Sequence, residues 1–384
     1  MRACLAILVL FVACSGSSPL LIERGELAGG DASAELGGEP DALDLVGAED
    51  DPGALDLAPP PDTAVPEAHD QGGDDAQGQV RLVTNGEYLP LLKDALIKAK
   101  TSIQVVTLEF LKGYLTDEVM GLLKAAQARG VSVRVLLDND PADNAGRVAE
   151  LVAAGAQARL DGSSRALHVK LVVVDRTWAM VGSTNLSVAS LKYNNEANVM
   201  FADPVIAQRL ADYADALWAS DAGLKKIEGP PVSGVTLIGD AAYDDMVLPI
   251  IAGAKQRIRL VMYDLDVSAS SAKDLADATR KAAGRGVDVK AVLELSDFAD
   301  NINADNQAAR QFLTAGGVAV RMDPKNTTTH AKLLVVDDTV VVYSGNWTYS
   351  SLERNHEAGA IISSDPEVAA KAAQFFDAIW ATSN

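Results

Sequence analysis

The sequence is short of cysteine, of histidine, of long apolar runs and of surplus basic charge, and each shortage removes a class of function. Its two cysteines, Cys4 and Cys14, lie among the first 14 of 384 residues, which leaves the rest of the chain without a disulfide or a thiolate metal site. The apolar run near the N-terminus, Leu5 to Ala13, is too short to span a bilayer. Lys and Arg number 33 against 53 Asp and Glu, a formal net charge of −20. Most of that charge is local, because residues 15–78 hold sixteen acidic residues against one basic, Arg24, whereas residues 79–384 hold 37 acidic and 31 basic. The larger part is therefore only mildly acidic. It lacks the basic excess whose counterion release drives non-specific binding to nucleic acid, so a nucleic-acid partner is not expected. A hydrophobic fraction of 48 % is ample for a buried core and excludes a fibrous or wholly disordered chain.

The first residues read as an export signal. Arg2 precedes the apolar run, and Phe11-Val12-Ala13-Cys14-Ser15 resembles a bacterial lipobox, in which Cys14 becomes the acylated first residue of the mature protein. Residues 1–14 are thus expected to act as a signal peptide, and the protein is expected at a bacterial cell envelope as a lipoprotein in the periplasm or on a membrane surface, or as a secreted protein if ordinary signal-peptidase cleavage occurs nearby instead. Each buried methylene of an acyl anchor contributes about 0.8 kcal/mol. Residues 15–78, with Pro59-Pro60-Pro61 and Gly72-Gly73-Asp74-Asp75, are too polar to bury a core. They read as a disordered acidic linker with an end-to-end distance of roughly 45 Å.

Residues 79–384 carry an internal repeat. Arg129-Gly130-Val131-Ser132-Val133-Arg134-Val135-Leu136-Leu137-Asp138 returns as Arg285-Gly286-Val287-Asp288-Val289-Lys290-Ala291-Val292-Leu293-Glu294, and Asp215-Ala216-Leu217-Trp218 returns as Asp377-Ala378-Ile379-Trp380. Each copy reads as an opening strand, an amphipathic helix, an apolar strand, a second helix, a further strand, a hairpin and a closing helix. Helices are predicted near Tyr88 to Ala99, Asp117 to Arg129, Asp244 to Ala254 and Ala272 to Arg285, and strands near Ile103 to Phe110 and Ile258 to Leu265. Strands alternating with crossover helices imply an α/β class, one α/β/α sandwich in each half. Gly229-Pro230-Pro231 marks the boundary between a first domain, 79–228, and a second, 229–384.

Only four histidines exist, and two occupy equivalent places: His168-Val169-Lys170 followed by Leu171-Val172-Val173-Val174-Asp175, and His330-Ala331-Lys332 followed by Leu333-Leu334-Val335-Val336-Asp337. Side chains two apart on a strand share a face, so an imidazole stands beside an ammonium in each copy. Asp175 and Asp337 fall on the opposite parity or in the turn, where they would fix the hairpin. The returning strand carries Ser183 and Asn185 in one copy and Ser344 and Asn346 in the other, and eleven residues beyond each Asn stands Glu196 or Glu357. His to Asn is 17 residues in the first copy and 16 in the second.

This doubled constellation resembles the phospholipase D superfamily, whose motif is His-x-Lys, four residues, Asp, six residues, then Gly-Ser/Thr-x-Asn. The resemblance covers residues 80–384. It implies two tandem repeats related by a pseudo-twofold axis, both motifs meeting at the seam. It also implies a phosphohistidine on His168, with His330 as acid and base, and neither metal nor cofactor. The motif brings Asp175 and Asp337 into the candidate set with His168, Lys170, Asn185, Glu196, His330, Lys332, Asn346 and Glu357, Ser183 and Ser344 supporting. The second copy departs from it by reading Tyr343-Ser344-Gly345-Asn346 one residue early, which leaves open whether Ser344 stands in for Ser183.

The residue types suit that chemistry. Lys170, Lys332, Asn185 and Asn346 offer donors for charge developing on non-bridging phosphate oxygens. A covalent intermediate divides one hard displacement into two. Glu196 and Glu357 can each hold an imidazole tautomer. The blander readings cover the rest: Glu109 and Asp264, which could line the pocket, as strand caps or surface pairs, His356 as a loop residue near the site, Trp218 and Trp380 as core. The leading expectation is hydrolysis of the distal phosphodiester of a phospholipid to phosphatidic acid and head group. Alternatives are phosphatidyl transfer as in cardiolipin synthases, an exported endonuclease, and a silent phospholipid-binding module. With both motifs in one chain, a monomer is expected.

Overall fold

A computed structural model describes residues 79–220 and 222–384; the expected signal segment with Cys14 and the acidic linker lie outside the described residues. The first lobe runs β1 (Gln79–Thr84), α1 (Tyr88–Lys98), β2 (Ser102–Thr107), α2 (Tyr114–Ala128), β3 (Ser132–Leu137), α3 (Ala142–Ala153), β4 (Gln157–Leu160), β5 (Lys170–Val174), β6 (Trp178–Gly182), α4 (Val188–Lys192), β7 (Ala197–Ala202) and α5 (Pro204–Ala219). The second repeats it: β8 (Val235–Gly239), α6 (Tyr243–Ala252), β9 (Arg257–Met262), α7 (Ser270–Gly284), β10 (Asp288–Leu293), α8 (Asp300–Ala315), β11 (Ala319–Met322), β12 (Leu333–Val336), β13 (Thr339–Tyr343), α9 (Tyr349–Glu353), β14 (Ala358–Ile362) and α10 (Pro366–Thr382). Gly229-Pro230-Pro231 lies in the connection from α5 to β8.

Each lobe is built on a seven-stranded sheet, β1-β7-β6-β5-β2-β3-β4 and, in matching order, β8-β14-β13-β12-β9-β10-β11. The β2, β3 and β4 strands run parallel through helical crossovers, and the hairpin β5–β6 continues the sheet antiparallel. The hairpin strands, Lys170–Val174 and Leu333–Val336, are buried at every position, as their unbroken apolar runs require of strands covered on both faces. Asp203 and Asp365 cap the closing helices, each carboxylate accepting two amides ahead of a proline in the first turn.

Three apolar clusters fill the molecule. One packs α1, α2 and α4 onto the outer face of the first sheet, and a second packs α6, α7 and α9 onto the second. The third is continuous across the seam, joining both sheets with α5 and α10 through residues such as Val181, Phe201, Leu210, Val342, Phe376 and Ile379. A shared core of this kind makes the lobes a single structural unit. The pattern of the sequence missed α3 and α8, with their following strands, and the short α4 and α9. The second pair spans five residues each, below the length at which helical periodicity can be read. Among the described residues no helix is long and apolar enough to cross a membrane.

Candidate active site

β5 pairs antiparallel with β2, placing Lys170 opposite Thr107 at the carboxyl end of the central strand, with His168 just beyond. β12 pairs likewise with β9. The segment entering each histidine is tied down through the preceding residue, as the Leu167 amide donates to Asp138 Oδ2 at 2.6 Å and the Thr329 amide to Glu294 Oε2 at 2.6 Å. Each lysine turns back on its own motif, Lys170 Nζ donating to the His168 carbonyl and Lys332 Nζ to the His330 carbonyl, both at 2.8 Å.

The two motifs meet by exchanging glutamates. His168 Nδ1 donates to Glu357 Oε1 at 2.8 Å, and His330 Nδ1 lies 3.1 Å from both carboxylate oxygens of Glu196. The His-x-Lys motif of each lobe is therefore oriented by the carboxylate of the other. Backbone bonds cross the seam reciprocally, Asn195 amide to Thr328 carbonyl at 2.8 Å and His356 amide to Ala166 carbonyl at 2.9 Å, as a twofold relation between the lobes requires. Within each lobe the serine holds the exchanged glutamate: Ser183 Oγ donates to Glu196 Oε2 and accepts from the Ala197 amide at 3.0 Å, and Ser344 Oγ does the same with Glu357 Oε2 and Ala358. Ser344 thus occupies the place of Ser183.

All of this is dry. His168 is 1 % exposed, His330 4 %, Lys170 and Lys332 2 %, and both glutamates 0 %. Burial pushes the Glu196 carboxyl up, but the charge and hydrogen bond of His330, with Lys332 and Ser183, outweigh it and hold Glu196 below the usual range. Glu357 is held low against burial in the same way by His168, Lys170 and Ser344. Asn185 and Asn346 are buried beside these groups in sequence, and each keeps an Oδ1 without a hydrogen-bond partner. Buried orphans of this kind call for a partner that the fold itself does not supply.

Asp175 and Asp337 do not join the site. They sit in the hairpin turns at positive φ, 53° and 52°. Asp175 accepts the amides of Lys100, Thr101 and Ser102, and Asp337 those of Lys255, Gln256 and Arg257, stapling each turn to the start of the central strand. Partial burial raises both carboxyls, but those amides hold them below the usual range. Their place in the motif is structural, and they leave the set that can touch a substrate. The missing residue of the second motif is in this turn: β5 and β6 are joined by three residues, β12 and β13 by two. The Gly182 to Tyr343 exchange is compensated across the strands. A Cβ on Gly182 would stand 2.5 Å from Asn198 Cα; in the second lobe Tyr343 faces Gly359, whose own Cβ would stand 2.8 Å from Tyr343 Cα. The close approach is kept, and the glycine has moved to the partner strand.

Several neighbours were unread or misread in the sequence. Glu109 and Asp264 are 2 % and 6 % exposed, not surface residues. Tyr263 stands edge-on to His330 at 4.9 Å between centroids and lies 4.9 Å from Lys332 Nζ. Glu294 and Asp323 are buried carboxyls next to the His330 segment, where burial and the neighbouring Asp323 push Glu294 up to about 10. His356 is fully buried against Asp240, at 2.9 Å. Trp218 and Trp380 pack at the edge of the shared core under Arg134 and Arg159, and under Lys290 and Arg321. Among the described residues no group of three or more His, Cys, Asp or Glu is placed to hold a metal ion.

A family model described as "Cardiolipin synthase, PLD-like domain" matches residues 92–218 and 247–380, one match per lobe. Cardiolipin synthase B of Escherichia coli is 32 % identical over 132 residues, 33 % of this chain and 31 % of the synthase. Mitochondrial cardiolipin hydrolase of Xenopus tropicalis is 33 % identical over 124 residues, 32 % of this chain and 57 % of the hydrolase. The chain thus spans about a third and somewhat over half of these relatives. Among solved structures, phosphatidylserine synthase of Haemophilus influenzae shares the fold over 80 % of this chain and 87 % of its own, with a TM-score of 0.63 at 13 % identity. With the doubled His-x-Lys motif meeting at one seam and the family model covering both lobes, the chain belongs to the phospholipase D superfamily.

Proposed function

We propose that this chain is a phosphatidyltransferase of the cardiolipin synthase type, which takes a phosphatidyl group onto His168 and passes it to the hydroxyl of a second molecule. The observation that carries the reading is the pair of buried imidazoles, each held on Nδ1 by the other lobe's carboxylate. A carboxylate on Nδ1 places the proton there, so the lone pair of a neutral ring resides on Nε2. His168 Nε2 then bonds to phosphorus, the bond from phosphorus to the leaving alkoxide oxygen breaks, and protonated His330 gives that oxygen its proton. In the second step the acceptor hydroxyl gives its proton to His330 and attacks phosphorus, and His168 departs. Lys170 and Lys332 balance charge on the non-bridging oxygens, and Asn185 and Asn346, whose amides can present either end, supply further hydrogen bonds.

A dry site favours an acceptor that brings its own apolar body over bulk water. The family model over both lobes and the similarity to cardiolipin synthase B support transfer. Hydrolysis of the distal phosphodiester, the expectation from sequence alone, uses the same intermediate with water as acceptor, and the similarity to cardiolipin hydrolase keeps it as the second reading. Incubation with phosphatidylglycerol vesicles decides: cardiolipin with released glycerol is expected, and none from His168→Ala. Phosphatidic acid as the sole lipid product assigns hydrolysis, and no product from any phospholipid sinks both. Anchoring at the cell envelope through Cys14 belongs to the same proposal, and loss of incorporated palmitate in Cys14→Ser checks it.

A further inference from the structure

The site is doubled in His, Lys, Ser, Asn and Glu, yet the chemistry needs its two histidines to play different parts. Both rings are held on Nδ1 by the other lobe's carboxylate, and Tyr263 stands edge-on to His330. A further difference lies one layer further out, where the backbone of each exchanged glutamate is pinned.

In the first lobe the pin is Asn85. Its amide donates to the Glu196 carbonyl at 3.2 Å, and its Oδ1 accepts the Glu196 amide at 2.9 Å. Its Nδ2 meets Asn195 Oδ1 only at 3.5 Å, both asparagines are partly exposed, and Asn195 is bonded across the seam, its Nδ2 donating to Thr329 Oγ1 at 3.0 Å and its carbonyl accepting the His330 amide at 3.0 Å. In the second lobe the corresponding pin is Asp240, with the same left-handed backbone, φ 44° against 49°. The Asp240 amide donates to the Glu357 carbonyl at 2.8 Å and Oδ1 accepts the Glu357 amide at 3.1 Å.

Around Asp240 the second lobe adds what the first lacks. Tyr213 donates its hydroxyl to Oδ1 at 2.6 Å and lies 3.0 Å from the Glu357 carbonyl. His356 Nδ1 donates to Oδ2 at 2.9 Å, the Lys225 amide donates to the same oxygen, and the Tyr343 hydroxyl donates to the Asp240 carbonyl at 2.7 Å. Asp240 is 1 % exposed and His356 0 %. Tyr213 is on α5 of the first lobe; the matching residue of α10, counted from Trp218 and Trp380, is Phe375, which has no hydroxyl to offer Asn85. One limb is thus a neutral, partly hydrated amide pair, and the other a buried carboxylate with four donors on its oxygens. Charge-assisted bonds in a dry setting restrain geometry more tightly than neutral ones at the rim.

We propose that Asp240, with His356 and Tyr213, is a positioning unit that makes the symmetric site unequal: it locks Glu357, and through it the ring of His168, in the attacking orientation, where the first lobe sets only the Asn85–Asn195 amide pair beneath Glu196. This rests on the phosphohistidine reading above. None of the three residues touches substrate in that account.

The test transplants the first lobe's pair into the second, Asp240→Asn with His356→Asn, and adds the milder Tyr213→Phe, which copies Phe375. Wild type and variants are mixed with phosphatidylglycerol vesicles in a single turnover, quenched and peptide-mapped for phosphatidylated histidine. Wild type is expected to carry the adduct on His168. The double variant is expected to form it there at least tenfold more slowly, with adduct appearing on His330 and KM little changed, and Tyr213→Phe should fall between. An unaltered rate and an unaltered choice of histidine in either variant overturn the positioning role while leaving the chemistry standing. Wild type with no adduct on either histidine overturns both. If the double variant does not fold, the Tyr213→Phe result alone decides, because it deletes one hydroxyl and keeps the ring.

Discussion

In the first lobe the return strand of the hairpin ends on Gly182 facing Asn198; in the second it ends on Tyr343 facing Gly359. The first hairpin turns in three residues, the second in two. Yet serine, glutamate and the opposite lobe's histidine are bonded alike in both. The comparison teaches what each half must keep: the close approach of two strands, whichever strand supplies the glycine, and the exchanged carboxylate. Turn length and the identity of the pin beneath the glutamate are free to differ, and at the pin the difference is put to use.

The largest expected effect tests the exchange. Glu357→Gln and Glu196→Gln keep shape and lose the carboxylate that sets the imidazole tautomer, so each should lower kcat about 10⁴-fold, as loss of a tautomer-setting carboxylate does in a catalytic triad. Because the pairs cross the seam, adding Glu357→Gln to His168→Ala should cost nothing more, whereas an additive further loss would break the crosswise assignment.

A smaller effect separates turn from site. Asp337→Ala and Asp175→Ala each remove an acceptor from three backbone amides and should cost about 1–2 kcal/mol in chemical denaturation with kcat/KM unchanged. These carboxyls are held below their ordinary value of 3.8, so their contribution is present at neutral pH and is lost as pH falls below 3.8 through the depressed value. The variants should therefore show a flatter acid limb. A fall in kcat with stability intact would return the two aspartates to the site.

Next comes a pH effect in the second lobe. Glu294 stays protonated in the fold up to about 10, while the unfolded chain releases that proton above its ordinary 4.5. Over that interval the unfolded state binds fewer protons, and this group subtracts stability as pH rises. Glu294→Gln should remove that slope, measured by urea denaturation at pH 6 and pH 9; an unchanged slope would contradict the raised Glu294 carboxyl. The smallest effect is expected from inserting one residue after Asp338 to copy the first lobe's turn, within about 0.5 kcal/mol of wild type.

The repeat, the hairpins and the residues of the site were legible because duplication put the same residue types at the same offsets twice. The crossing of Glu196 and Glu357 was not, since spacing along one chain says nothing about which face of one lobe meets the other. Glu109 and Asp264 looked like surface residues because a lone carboxylate at a strand end carries no sign of burial, yet both are covered. Asp240 and His356 were invisible as a pair: 116 residues separate them, and only the fold makes them neighbours.

The most direct test of the shared site is a crystal structure with vanadate bound in place of the phosphoryl group. The account predicts one vanadium centre within bonding or hydrogen-bonding reach of both His168 and His330, with Glu357 on the first ring and Glu196 on the second. Vanadate held by one lobe alone, or either ring paired with the glutamate of its own lobe, would contradict it.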